Sequence, residues 1–495
     1  MAENITLMQF FHWYYPHDGS LWNKLREEAA HLEEAGITGL WLPPAYKAVS
    51  EWDTGYSTYD LYDLGEFDQK GSVRTKYGTR KQYLEAIRAC HKHHIQVLAD
   101  VVFNHKAGGD EKERFPVRKV NPDNRNEFIS DVYEIEAYTK FTFPGRKGKY
   151  SKFIWDWHCF TGVDHADDTG EDAIFSIQNQ YGEGWEEVTD GELGNYDYLM
   201  FNDIETRNPA VKEELKKWGE WYLSTADLDG FRLDAVKHIN PAFLEEWVRH
   251  MRSVSGRPLF VIGEYWQTNS KDPSQQFIEK TGRQIQLFDA VLHMNFHHAS
   301  QRGKDYDLRT VFDGTLVQAD PTTAITLCDN HDTQPLQALE SPVDFWFKPL
   351  AYAMILLREQ GIPCIFYAAY YGVKYTDKGQ DGQDYEITLS RVDELKTLVP
   401  LRRYKAYGAQ RDYLDHANNI GWTREGDDEH PGSGLAVLMS NGTEGFKHME
   451  MGPRHAGKTF KDALGFRKET VTIDDNGWAQ FQCNAGSVSV WVTVE

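Results

Sequence analysis

Residues 229–239 read DGFRLDAVKHI, and the fold turns on whether this short run is a strand. As a strand it points Phe231 and Leu233 to one face, and Arg232 and Asp234 to the other. Buried charges normally come paired, so a lone R-x-D reads first as an internal ion pair. The rest of the chain supplies a second reading.

Working outward, comparable apolar runs occur at 5–11 (ITLMQFF), 38–44 (TGLWLPP), 95–103 (IQVLADVVF), 229–234 (DGFRLD), 259–264 (LFVIGE), 285–291 (IQLFDAV), 324–330 (AITLCDN) and 363–367 (PCIFY). Amphipathic helical patterns separate them, such as LWNKLREEAAHLEEAG, with Gly36 as its stop, and RKQYLEAIRACHKHH. Eight strands with intervening helices give an α/β fold of the (β/α)8 TIM-barrel kind, whose active sites lie at the C-terminal strand ends. One connection is anomalous: about a hundred residues separate the third strand from the fourth, where such links are usually short. Residues 104–206 are therefore expected to form an inserted irregular or β domain between barrel parts 1–103 and 207–400. Beyond 400, alternating runs such as GLAVLMSNG and GSVSVWVTVE predict a C-terminal antiparallel β-sandwich domain over 401–495.

Composition narrows the function. With 53 basic and 76 acidic residues the formal charge is −23, which repels nucleic acid and anionic membrane surfaces. No apolar run is long enough to span a bilayer. Aromatic residues at 14% suit a protein that stacks rings on sugars, although a large core uses them equally well. The five cysteines, Cys90, Cys159, Cys328, Cys364 and Cys483, are odd in number and widely spaced, and read as reduced and buried. The N-terminus shows no basic region followed by an apolar stretch, so the expected location is the cytoplasm, with a secreted form trimmed of its leader as the alternative. The segment HKHH at 91–94 reads as the solvated end of a helix.

Three acids fall at strand ends: Asp234, Glu264 thirty residues later, and Asp332 in CDNHDTQ (328–334). These spacings are about one and two βα units, so all three converge on one barrel mouth. Singly, each has a structural explanation as an ion pair, a surface charge or a helix cap. Together, with Arg232, His105 and His331 beside them, they match what glycosidic cleavage needs: one acid to protonate the leaving oxygen and one carboxylate to attack. Arg232 would keep Asp234 ionised, while Tyr265 and Trp266 next to Glu264 provide a less polar setting that raises its pKa.

At this point the chain is seen to resemble an α-amylase of glycoside hydrolase family 13, of the bacterial liquefying type. The motifs run from LMQFFHWYYPHDG through YDLYDLGEFDQKGSVRTKYGT, DVVFNH, GFRLDAVKH, GEYW and DNHDTQ to GWTREGD. The resemblance implies endo-hydrolysis of α-1,4-glucosidic bonds in starch, glycogen and maltodextrins by a retaining double displacement. Asp234 would be the nucleophile, Glu264 the general acid/base and Asp332 the transition-state stabiliser. The retaining pair would stand about 5–5.5 Å apart. His105 and His331 would hold the same sugar, with Arg232 and Asp100 in support. Trp13, Tyr14, Tyr56, Lys237, Trp266 and Gln334 would serve neighbouring subsites. The expected partner is an α-glucan chain, with no nucleic acid or membrane, and the expected state is a monomer.

The resemblance also implies calcium. Asn104, Asp197, Asp203 and the carbonyl of His238 are similar to the ligands that pin the inserted domain, a hard-oxygen set suited to Ca2+. Asp164, Glu186 and Glu205, sharing Asp203, resemble an additional calcium and sodium cluster, with Glu at two positions where the pattern carries Asp. At a third family site two aspartates are replaced by Asn419 and Asn441, which predicts no ion there. FYAAYYG (366–372) lacks the Gly-Asp that often follows FY. Two other readings are a glucanotransferase or small-oligosaccharide glucosidase on the same fold, and a silent carbohydrate-binding protein. The second sits poorly with three intact acids.

Overall fold

The computed structural model describes residues 4–494. Its eight central strands are β1 (Leu7–Gln9), β2 (Gly39–Leu42), β3 (Gln96–Val101), β4 (Gly230–Leu233), β5 (Phe260–Gly263), β6 (Gln286–Phe288), β7 (Ala324–Leu327) and β8 (Ile362–Phe366). They pair in sequence order into a closed parallel barrel, β8 meeting β1. Each coincides with one of the eight runs expected from the sequence. The strands are buried on both faces, as a barrel wrapped in helices requires.

Local chemistry fixes the helices between them. Helix α1 (Leu21–Ala35) ends at Gly36, whose φ of 105° lies in the left-handed region and whose N–H donates to the Leu32 and Glu33 carbonyls. Helix α2 (Arg80–Lys92) opens on a capping box: the Gln82 N–H donates to Thr79 Oγ1, and the Thr79 N–H donates to Gln82 Oε1. Helices α3 (Pro209–Ala226) and α4 (Pro241–Ser255) both start Asn-Pro, the Asn side chain accepting from the N–H two residues on. At the end of α2, His91 lies 2.9 Å from Asp229 Oδ2 rather than standing solvated.

Between β3 and α3 the chain builds its own antiparallel sheet. The segments run in the order 105–106, 202–204, 160–166, 171–177, 111–121 and 124–128, with 133–140 continuing beyond 124–128 to pair with the first part of 111–121. It is a more regular sheet than its Asp- and Gly-rich composition suggested. It returns to the barrel where His105 pairs with Asp203. After β8 a short helix (Tyr367–Tyr371) leads into an exposed two-stranded hairpin, Val373–Lys378 with Asp384–Leu389. Helix Leu395–Tyr404 runs across the boundary expected at 400, and antiparallel sheets of six and two strands follow. All five cysteines are buried and unpaired.

Candidate active site

Register brings the acids together. Arg232 on β4 lies opposite Asp100 on β3 and Ile262 on β5. The pairing continues past the strand ends, where the Asp234 N–H donates to the Val101 carbonyl and the Glu264 N–H to the Leu233 carbonyl. The side chains of Asp234 and Glu264 are thereby held side by side. Beneath them the fully buried Arg232 guanidinium serves three carboxylates. Its Nη1 donates to Asp100 Oδ1 at 3.0 Å and to Asp234 Oδ1 at 2.5 Å, and its Nη2 donates to Glu264 Oε2 at 2.6 Å. Asp100 also accepts from Trp41 Nε1 and the Tyr56 hydroxyl, both at 2.8 Å, so its charge is fully engaged. The R-x-D of the opening stretch is thus both an internal ion pair and the floor of a cleft.

Just after Asp234, Ala235 has a φ of 47°, a left-handed conformation that costs a non-glycine residue about 1–2 kcal/mol. The strained turn swings Lys237 toward the cleft and aims the Ala235 N–H at Glu264 Oε2 (3.3 Å). Strain of this kind collects where a site over-determines the backbone. On the opposite wall Asn330 Oδ1 accepts from the N–H groups of Asp332 and Thr333 at 2.9 Å each, fixing the loop that presents Asp332. His331 Nε2 lies 3.3 Å from Asp332 Oδ2.

The two central carboxyls are differentiated by their surroundings. Burial raises the pKa of Asp234, which Arg232 opposes; burial also raises that of Glu264, again opposed by Arg232. The contact between the two acts in opposite senses, lowering Asp234 and raising Glu264. Asp332 is raised well above the usual carboxylate range by burial and by the charge of Glu264. Burial drives His331 far down and His105 down to about 4, so both imidazoles are neutral near pH 7.

These groups line a cleft of about 1070 Å³ together with Trp13, Tyr56, His105, Lys237, Trp266 and His331. Trp13, Tyr56 and His331 form one aromatic tier: Trp13 and Tyr56 are 5.9 Å apart and nearly parallel, and His331 lies 5.2 Å from Tyr56. Two expected residues stand behind this wall. Gln334 is buried, its Oε1 accepting the Trp13 N–H, and Tyr14 stacks on Tyr375 of the 373–389 hairpin with centroids 4.0 Å apart. The Tyr14 hydroxyl donates to Asp377, and the Tyr375 hydroxyl donates to the Pro335 carbonyl. The hairpin thus braces the loop that follows Asp332. Sequence reasoning did not find the inserted domain's side of the cleft, Asp190, Glu192, Tyr196 and Met200. Lys237 pairs with Glu192, and the Tyr265 hydroxyl donates to Asp190. The only sequence signal for these was the density of acids and aromatics in 183–201.

The expected metal ligands divide into two groups. Asn104 Nδ2 lies 3.1 Å from Asp203 Oδ1 and 3.0 Å from the His238 carbonyl, so these three meet at one point. Asp197 is the neighbouring charge, its Oδ2 accepting the Glu186 N–H. Burial is the main force raising these acids, Glu186 to about 8 and Asp197 to about 7. Asp164 accepts the Phe201 N–H, Glu186 accepts from the Thr206 N–H and hydroxyl, and Glu205 pairs with Arg207. Among the described residues no group of three or more His, Cys, Asp or Glu side chains is gathered to hold a metal. Asn419 and Asn441 are both buried, donating to backbone carbonyls.

Comparison with known proteins shows the family of the chain. Residues 22–402 match the family described as "Alpha amylase, catalytic domain", and residues 435–492 match "Alpha-amylase C-terminal". The chain is 52% identical to the "Cytoplasmic alpha-amylase" of Escherichia coli (strain K12), covering 100% of this chain and 99% of that one. It is 52% identical to an "Alpha-amylase" of Geobacillus stearothermophilus over 99% of this chain and 87% of that one. A solved α-amylase from Geobacillus thermoleovorans, complexed with acarbose, shares the fold with a TM-score of 0.65 at 19% identity, over 99% of this chain and 98% of that one.

Proposed function

The chain belongs to the α-amylase family of glycoside hydrolases, and from that membership we propose that Asp234 attacks the anomeric carbon while Glu264 protonates the leaving oxygen. Its activity is endo-hydrolysis of α-1,4-glucans. The observation that carries the residue assignment is the Arg232 guanidinium, which donates to both central carboxyls and holds them side by side at the strand ends, with the Ala235 N–H aimed at Glu264. In this reading Asp234 forms a covalent glycosyl ester, and Glu264, having given up its proton, takes one from the water that hydrolyses the ester. Asp332 and the neutral His105 and His331 grip the sugar at the cleavage point. Trp13, Tyr56, Lys237 and Trp266 hold its neighbours, and Tyr14 and Gln334 set the wall behind them.

A calcium ion fits the first group of ligands. His105 is neutral and has one ring N–H, which Nε2 donates to the Tyr56 carbonyl at 2.8 Å. Its Nδ1 is then an acceptor, yet it faces Asn104 Oδ1 at 3.0 Å. Turning the Asn104 amide satisfies Nδ1 and aims Oδ1 toward Asp203 and the His238 carbonyl. Three oxygens then face one point beside Asp197, the donor set of a hard cation. Asn104, Asp197, Asp203 and the His238 carbonyl would hold the ion and clamp the inserted sheet to the barrel.

Five buried, unpaired cysteines and the similarity to a relative named as cytoplasmic support a cytoplasmic location, where the substrate is glycogen or maltodextrin. No helix among the described residues is long and apolar enough to cross a membrane. The test is incubation with amylose, following iodine colour, reducing ends and product anomer together. Fast colour loss with few new reducing ends and α-configured products is expected. Transfer products without net reducing ends would instead favour a glucanotransferase.

A further inference from the structure

We infer that two cation positions of the family pattern are filled in this chain by its own N–H donors, Arg207 in the Glu186–Glu205 cluster and Asn441 between barrel and C-terminal domain, so that the folded protein takes up one calcium ion and no more. The inference rests on the calcium reading of Asn104, Asp197, Asp203 and the His238 carbonyl.

In the first position Glu205 is fully buried and both of its oxygens are taken by one guanidinium. Arg207 Nε donates to Oε1 at 2.8 Å and Nη2 donates to Oε2 at 2.6 Å, a fork-on-fork pair with strong geometric preference. Nη2 also donates to the Gly184 carbonyl at 3.0 Å. The seat is built to this shape: a Cβ on Gly182 would lie 2.3 Å from Arg207 Nη1 and 2.7 Å from Cζ, so any other residue there would displace the guanidinium. Glu186 is occupied separately by the Thr206 N–H and hydroxyl. Asp164 is turned to the Phe201 N–H. No oxygen of Glu186 or Glu205 is left without a protein donor, and a permanent positive charge already lies against the cluster. The residues present do not fit a second ion.

In the other position, two backbone carbonyls of the barrel, Gly303 and Tyr306, converge on one nitrogen. Asn441 Nδ2 donates to them at 2.9 and 2.8 Å. Asn418 Nδ2 completes the set, donating to the Lys304 carbonyl at 2.6 Å and to Asn441 Oδ1 at 2.9 Å. An amide has two N–H groups and satisfies both carbonyls. A carboxylate at 441 could donate to neither, and would set a negative charge against two carbonyl oxygens, an arrangement that only a cation resolves.

The test is the calcium content of the full-length chain, stripped with chelator, reloaded with calcium chloride and desalted, with melting temperature followed in chelator and in calcium. Wild type is expected to retain one equivalent. Asn441→Asp should gain one equivalent over wild type and melt lower in chelator, with calcium restoring it. Arg207→Gln should melt lower than wild type, and added calcium or sodium should recover most of the loss. If that variant does not fold, Arg207→Lys, which keeps the charge without the fork, takes its place with a smaller loss. Two or more equivalents in wild type, or an Asn441→Asp protein indifferent to calcium, overturns the inference. No calcium in wild type, with an equivalent still gained by Asn441→Asp, instead withdraws the reading of the Asn104 site and leaves the substitution by protein donors standing.

Discussion

Arg232 Nη1 stands 2.5 Å from Asp234 Oδ1, Arg232 lying on β4 and Asp234 immediately past its end. The guanidinium fork reaches Asp100, Asp234 and Glu264 at once, which a single ammonium on a flexible stem cannot reproduce. Arg232→Lys should therefore cut kcat by about 100-fold or more while moving KM little, measured on maltoheptaose. Arg232→Ala leaves buried carboxylates without their partner and should cost about 3–5 kcal/mol in stability, read by denaturant unfolding.

The pH profile follows from Glu264. Turnover requires its proton, and its pKa is raised, first by burial. The alkaline limb of kcat/KM should accordingly lie above the ordinary carboxylate range, while the acid limb reports protonation of Asp234. Glu264→Gln should lower kcat by about 100-fold to 10,000-fold with substrate binding retained. Stability carries the same sign. A carboxyl whose pKa is higher folded than unfolded holds its proton more tightly in the folded state, so stability is lost as pH rises through the folded value. The Gln variant should thus melt higher than wild type at pH 8, by calorimetry with the same calcium present, and the advantage should vanish at pH 4.

The 373–389 hairpin should act on chain-length preference. Tyr375 stacks on Tyr14 and holds the Pro335 carbonyl, so Tyr375→Ala frees the loop beyond Asp332. The expected outcome is a several-fold rise in KM for maltohexaose and a changed product distribution, with the melting temperature within a few degrees of wild type. An unchanged product pattern on chromatography would remove the hairpin from the account of specificity.

Gly230 tests the barrel register. A Cβ there would meet the Phe260 carbonyl oxygen at 1.9 Å, between the strands that carry Asp234 and Glu264. Gly230→Ala should cost about 3 kcal/mol or more in denaturant unfolding, through forced backbone displacement.

Much of this was legible in the sequence, for a physical reason. Barrel strands are buried on both sides, so each is a nearly unbroken apolar run ending in a polar residue, as in LFVIGE and DGFRLD. Strands outside the barrel, mostly exposed along at least one face, leave a weaker trace. EKERFPVRKVN at 111–121 buries only Phe115, Val117 and Val120, and of the hairpin strands VKYTDK and DYEITL only Tyr375 is buried, so their alternation is weak. Asp234, Glu264 and Asp332 could be placed together from strand spacing alone. Arg207 could not, because its role depends on the guanidinium folding back two residues onto Glu205 and on a glycine 25 positions earlier making room. Tyr14 was placed in the cleft by resemblance and stands behind it, because its hairpin partner was invisible.

The most direct measurement uses Glu264→Gln with an α-maltosyl fluoride, whose leaving group needs no acid but whose glycosyl ester would lack the base that hydrolyses it. Mass spectrometry is expected to find one maltosyl group, on the peptide containing Asp234. A label on Asp332, or β-configured products and no label from a variant that still consumes the fluoride, would contradict the assignment of Asp234 as nucleophile.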